Sequence, residues 1–224
     1  ISVDQFSADL FAQYRAHFSK GLARLQQGAV FPSAYQSHAA TETCPGHSTL
    51  LTGVHPARSG IIANNWFAPG LPRADKKVYC AEDESNPAST PGNPAVSASH
   101  LKVPTLGDRL KASDPASRNV SVSAKDRAVV MMGGRTIDQG YWWKNGAFAT
   151  FAGKPLAPAA VRLNGRLRSL QLRGAPPLAL PGWCAARDHA ISIGAGEVGR
   201  NRFAMAAGAA DQFPRSPRMD AATV

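Results

Sequence analysis

Cysteine is scarce in this chain, with three in 224 residues at Cys44, Cys80 and Cys184. They are too few and too widely spaced for a structural zinc motif. Acidic residues are also short, 15 Asp and Glu against 25 Lys and Arg, leaving a net charge of +10. Such a balance attracts polyanions or small phosphorylated ligands. No helix-turn-helix or zinc-finger spacing accompanies it, so no specific nucleic-acid recognition is indicated. Arg162, Arg166, Arg168 and Arg173 are the nearest thing to a basic cluster and read as a solvated helix face. No apolar run approaches membrane-spanning length, so no membrane partner is indicated. The chain opens at Ile1, in what reads as mid-strand, without a charged leader.

What is present is enough for a core. The sequence is 44% hydrophobic over 224 residues, which suits one α/β domain and is too apolar for a disordered chain. Residues 1–3 read as the tail of a buried strand with Asp4 at its carboxyl end, where open α/β sheets place ligand-binding groups. Leu10, Phe11, Tyr14, Phe18, Leu22 and Leu25 recur at helical spacing, predicting a helix over 9–27 that covers one face of the sheet. A short strand is expected at 28–31, then a loop over 37–42. His38 in that loop reads as a hydrogen-bonded structural residue.

Residues 66–103 are rich in Pro, Gly, Ser and Asn and read as a long excursion outside the sheet. A short helix follows within 101–112, and 119–124 reads as a central strand ending near Lys125. The apolar run 128–134 reads as another strand or a buried segment. Asn145-Gly146 between aromatic flanks predicts a hairpin over 141–148 with a type I′ turn. Residues 158–172 fit a basic amphipathic helix interrupted by Gly165, and the Pro- and Gly-rich tail after Gly174 shows little periodicity.

The rest is organised around Thr41-Glu42-Thr43-Cys44-Pro45-Gly46-His47-Ser48-Thr49, followed by Gly60-Ile61-Ile62-Ala63-Asn64-Asn65-Trp66. Pro45 suits a first helical position, which puts Thr43 or Cys44 at the cap, and Gly53 closes the helix. A hydroxyl there sits in the positive field of a helix start, among free N–H groups. The plain alternative is an ordinary Thr cap. A rival nucleophile is Cys44 with His47 or His55 as base. Two cysteines could also pair, Cys80 with Cys184 among the options, and spacing does not decide between them.

These blocks, with Ser2-Val3-Asp4-Gln5-Phe6 and Ser123-Ala124-Lys125-Asp126-Arg127, resemble in order the threonine-nucleophile branch of the alkaline phosphatase superfamily, relatives of the nucleotide pyrophosphatase/phosphodiesterases. The likeness runs from Ile1 to about Gly134. It implies an α/β sheet sandwiched by helices, incomplete at the C-terminus and carrying loop-rich insertions. All 224 residues would then be the N-terminal part of one catalytic domain, with 135–224 an insert or cap region. It further implies zinc-dependent hydrolysis of phosphate monoesters through a phosphothreonine intermediate, with two zinc ions and small phosphorylated substrates, in a periplasmic or secreted protein. By motif, Thr43 is the nucleophile and a metal ligand, Asp4 a zinc ligand, and Asn64, Lys125 and Arg127 hold the phosphoryl oxygens.

Lys125 and Arg127, one residue apart, would share one face of an extended strand and grip a single anion. A phosphodiesterase relative should lack that pair, and a non-catalytic polyanion-binding fragment is the other alternative. Nothing after Arg127 resembles the remaining ligand motifs, and His189 reads as surface. On that count the 224 residues alone are expected to be inactive.

Overall fold

The apolar run after Arg127 is helical rather than extended. It lies in α6 (Asp126–Gly133), where Ala128, Val129, Val130 and Met131 are all buried. A helix buried on all sides carries no polar stripe, so its periodicity resembles that of a buried strand. The computed structural model describes residues 1–199 and 202–224; positions 200 and 201 lie outside the described residues. Among the latter, the most extensive packing between elements joins α6 to α3 (Thr43–Thr52), whose first six residues are buried. Gly53 ends α3 at φ 71°, as the sequence predicts, a conformation that costs glycine little.

Beside this pair lies a three-stranded sheet of β3 (Val120–Ser123), β4 (Gln139–Lys144) and β5 (Ala147–Ala149), in that order. β3 runs parallel to β4, with α6 in the crossover, and β4 and β5 form the expected hairpin. Asn145 and Gly146 turn it with φ 51° and 84°, the sign a type I′ turn requires at both positions. β3 is an edge strand here, not a central one, and Val120 and Val122 are exposed.

Two apolar clusters hold these elements. The first joins Cys44 and Cys80 to Ile61, Leu101, Val129, Val130, Met131 and Trp142, and so lies directly beneath the starts of α3 and α6. The second packs Tyr141, Phe148 and Phe213 against Leu167 of α7 (Pro158–Arg173), the predicted basic helix. Each fully buried side chain of this size contributes about 1.5–3 kcal/mol.

The expected excursion at 66–103 carries a two-stranded ribbon, β1 (Asn65–Phe67) with β2 (Lys77–Tyr79). A carboxylate organises the rest of it. Glu82 is 1% exposed and accepts from Arg73, Ser89 Oγ (3.0 Å) and the Tyr79 N–H (3.3 Å). Burial alone would raise its pKa, but Arg73 and these donors outweigh it and hold the carboxyl below its ordinary value.

The N-terminal expectations fail. Residues 1–3 are not a strand, residues 28–31 are irregular, and the helix over 9–27 breaks into α1 (Ala8–Tyr14), a 3-10 turn (Arg15–His17) and α2 (Lys20–Leu25). A strand persists only beside a hydrogen-bonded partner, and β3 is paired only with β4. Instead of covering the sheet, Phe6, Phe11 and Phe18 pack on one another with ring centroids 5.7–6.2 Å apart, and Leu10, Leu22 and Leu25 are exposed.

α5 (Leu106–Ser113) joins the crossover to the core through Asp108. Its carboxylate accepts from the N–H groups of Thr105 (2.9 Å), Arg135 (2.9 Å) and Thr136 (2.8 Å), and from Thr136 Oγ1 (2.7 Å). Burial opposes ionisation, but these donors win and hold the carboxyl below its ordinary value. A carboxyl depressed in the folded state stabilises fully above its unfolded pKa, and that contribution is lost as pH falls below about 4. Asp108→Ala strands several buried donors, so urea unfolding at neutral pH should show a loss of about 3 kcal/mol or more. The difference from the parent should shrink as the pH is lowered through that window.

Candidate active site

Thr43 is the first helical residue of α3, and Glu42 is its cap, so the helix begins one residue earlier than a Thr43 cap implies and places Pro45 third. The physical reason is Asn64. Its Oδ1 accepts the Cys44 N–H at 2.9 Å, its own N–H donates to Glu42 Oε2 at 2.8 Å, and its carbonyl accepts the Cys80 N–H at 3.0 Å. These bonds satisfy a first-turn donor from outside the helix and close the turn two residues before Pro45.

They also orient the asparagine. With Oδ1 engaged, the Nδ2 group is the end left to donate to a ligand. Few first-turn N–H groups remain for an anion: that of Cys44 is used, Pro45 has none, and that of Gly46 closes onto the Glu42 carbonyl. An anion approaching this end of α3 would meet side chains rather than a free helix start.

Those side chains stand at the start of α6. Lys125 is the cap residue and Arg127 the second helical residue, so the pair does not lie on an extended strand as the sequence suggests; the chain turns into the helix between them. α6 packs on α3, and Cys44, the residue after Thr43, shares a core cluster with Val129, Val130 and Met131 of α6. Lys125 Nζ donates to Asp4 Oδ2 at 2.9 Å, with both side chains about half exposed. That bond, above all, holds the Asp4 carboxyl below its ordinary value against partial burial, and the Lys125 and His47 charges add to it. Asp4 thus reaches the site from a turn, tied by this contact. The pair is lost as pH falls below about 4 and, being exposed, contributes little stability.

His47, four residues after Thr43, donates Nδ1–H to the Thr43 carbonyl at 2.8 Å, which leaves Nε2 facing Ser2 Oγ at 3.5 Å. His55 contacts Ser37 Oγ, His38 contacts Gln36 Oε1, and His189 is exposed. Cys44 is disulfide-bonded to Cys80, and Cys184 is free. The pairing of Cys80 with Cys184 therefore does not occur, and with its sulfur bonded Cys44 is no nucleophile. Glu42, Tyr79 and Asp126 touch the candidate site without having been given a role from the sequence, and Cys80, named there only as a candidate for pairing, touches it too. A carboxylate, a phenol and a thiol of this kind carry no local signal of their long-range partners.

A cavity of about 270 Å3 opens beside Lys125 and Arg127, walled by Trp142, Trp143, Lys144 and Asn93. A broader hollow of about 810 Å3 lies along the exposed face of α7, lined by Arg162, Arg166 and Arg173, all from one helix and remote from Thr43 in the sequence. It is the solvated basic face expected from the sequence, and it holds no candidate nucleophile.

Asp4 and Thr43 offer hard oxygen donors that zinc accepts, and Asp4 is held ionised as ligation requires. Among the described residues no group of three His, Cys, Asp or Glu side chains is placed to hold a metal. Asp4 and Thr43 by themselves do not complete a metal site. Likewise, among the described residues no helix is long and apolar enough to cross a membrane.

Comparison with known proteins yields four likenesses. A family model for type I phosphodiesterase / nucleotide pyrophosphatase matches residues 1–151. Alkaline phosphatase PhoK of Sphingomonas sp. is 51% identical over 227 aligned residues, covering 100% of this chain and 40% of that protein. Alkaline phosphatase PhoD of Zymomonas mobilis is 52% identical over 205, covering 91% and 34%. The crystal structure of a mutant of alkaline phosphatase PafA superposes with a TM-score of 0.67 at 26% identity, covering 80% of this chain and 36% of that one. The chain thus spans well under half the length of these relatives.

Proposed function

The chain belongs to the type I phosphodiesterase / nucleotide pyrophosphatase family, and from that premise we propose that it carries the nucleophile and phosphate clamp of a zinc-dependent phosphomonoesterase. The observation that carries the reading is the packing of α3 on α6: α3 begins at Thr43 with Asn64 bonded to its first turn, and α6 begins between Lys125 and Arg127. The PafA neighbour supports it. That protein was solved with a threonine, an asparagine, a lysine and an arginine replaced, the same four residue types in the same order as Thr43, Asn64, Lys125 and Arg127.

In this reaction the Thr43 oxygen attacks phosphorus, and the bond to the leaving oxygen breaks with its electron pair. Water then hydrolyses the phosphothreonine and releases inorganic phosphate. Asn64 Nδ2 and the Lys125 and Arg127 cations bind the non-bridging oxygens, whose charge is larger on a monoester than on a diester. Zinc, for which Asp4 and Thr43 would provide oxygen ligands, supplies Lewis-acid stabilisation of the oxygens that gain charge. The Cys44–Cys80 disulfide supports an exported, periplasmic or secreted setting.

The test is hydrolysis of matched aryl phosphate monoesters and diesters by the full-length protein. A kcat/KM at least about tenfold higher on the monoester supports the reading. Preference for the diester would make the protein a phosphodiesterase, and no hydrolysis of either would leave only anion binding.

A further inference from the structure

Residues 78–82 form a short bridge between the two halves of the site. Val78, Cys80, Ala81 and Glu82 are buried. At one end, Cys80 is bonded to Cys44, the residue after Thr43, and its N–H holds the Asn64 carbonyl. At the other, the Tyr79 hydroxyl donates to Asp126 Oδ1 at 2.6 Å, and the same oxygen accepts the Arg127 N–H at 2.7 Å. Asp126 lies between Lys125 and Arg127 and is the first helical residue of α6.

The Tyr79 phenol is well placed to stay a donor. Burial, and then the Asp126 charge, push its pKa far above the ordinary tyrosine value, against a weaker opposing pull from Arg127. The hydroxyl therefore serves as the donor to Asp126 at neutral pH. Glu82, held by Arg73, takes the Tyr79 N–H and fixes the backbone from which the ring projects.

We propose that Tyr79 is the positioning residue of the phosphate clamp: its hydroxyl fixes Asp126 and thereby sets Lys125 and Arg127 relative to Thr43 and Asn64. The proposal rests on the reading of Lys125 and Arg127 as an anion clamp. Tyr79 touches no substrate in this account and acts only through its neighbours. The disulfide and the hydroxyl bond leave adjacent residues, so one segment ties the nucleophile's helix to the clamp.

Inorganic phosphate is the probe, and titration calorimetry of the full-length protein is the readout, with monoester and diester hydrolysis followed in parallel. Tyr79→Phe removes one oxygen and keeps the ring. Phosphate affinity and monoester kcat/KM should both fall roughly ten- to a hundredfold, as for a lost hydrogen bond to a charged group, while diester kcat/KM falls less than about threefold. With Lys125→Ala and Arg127→Ala already in place, adding Tyr79→Phe should change nothing further. Asp126→Asn, which keeps an acceptor for the hydroxyl, should retain more phosphate affinity than Asp126→Ala.

Unchanged phosphate affinity in Tyr79→Phe, or an equal further loss in the clamp-less background, overturns the proposal. The two readings fail differently. A protein that turns over no monoester yet loses phosphate affinity with Tyr79→Phe would fault the catalytic reading and spare this one. Normal monoester turnover with affinity indifferent to Tyr79 would do the reverse.

Discussion

Thr43→Ala in the full-length protein should abolish monoester turnover, lowering kcat by at least about three orders of magnitude. The expectation rests on where the hydroxyl stands. It is at the first residue of a buried helix, one position from a cysteine whose amide is held by Asn64. Other hydroxyls of α3 are placed less well: Ser48 Oγ donates to the Pro45 carbonyl at 3.1 Å and Thr52 Oγ1 to the Ser48 carbonyl at 2.7 Å. The substitution removes the hydroxyl and one buried methyl, so the protein should still fold, and a melting curve only slightly below the parent's is part of the expected result. Cys44→Ser offers the contrast. It breaks the disulfide and should lower stability by about 2–4 kcal/mol, but the folded fraction should still form phosphoenzyme.

Replacing both Lys125 and Arg127 by Ala should lower monoester kcat/KM by about two to four orders of magnitude, at roughly 1.5–3 kcal/mol for each lost charged contact. Diester hydrolysis should fall much less, because the oxygen these cations address carries less charge when esterified. Equal losses on both substrates would make the pair a general phosphate-binding or structural element. One side effect is predictable. Losing Lys125 frees Asp4 from its ion pair, and the Asp4 carboxyl should then titrate nearer its ordinary value.

Local chemistry made parts of this structure legible. The Asn145-Gly146 turn, the Gly53 stop and the α7 helix follow from residues within a few positions of one another, where turn geometry and helical spacing decide the outcome. The candidate site residues came from a different source: the ordered motifs around Asp4, Thr43, Asn64, Lys125 and Arg127 resemble a known family, and their roles are proposals. What escaped depends on distant partners. A strand at 1–3 needs a neighbour, and the helix over 9–27 divides because its phenylalanines pack on one another instead of on the sheet. The Cys44–Cys80 bond spans 36 positions, and the Tyr79–Asp126 bond spans 47. The segment that looked like a structureless excursion supplies both.

Covalent capture of the reaction intermediate tests the account most directly. The full-length protein, mixed with an aryl phosphate monoester and quenched in acid during turnover, is digested, and the phosphorylated peptide is sequenced by mass spectrometry. One phosphoryl group is expected on the Thr43 side chain, present with substrate and missing from Thr43→Ala. A phosphoryl group on Ser48 or Thr49, or sustained monoester turnover by Thr43→Ala, would contradict it.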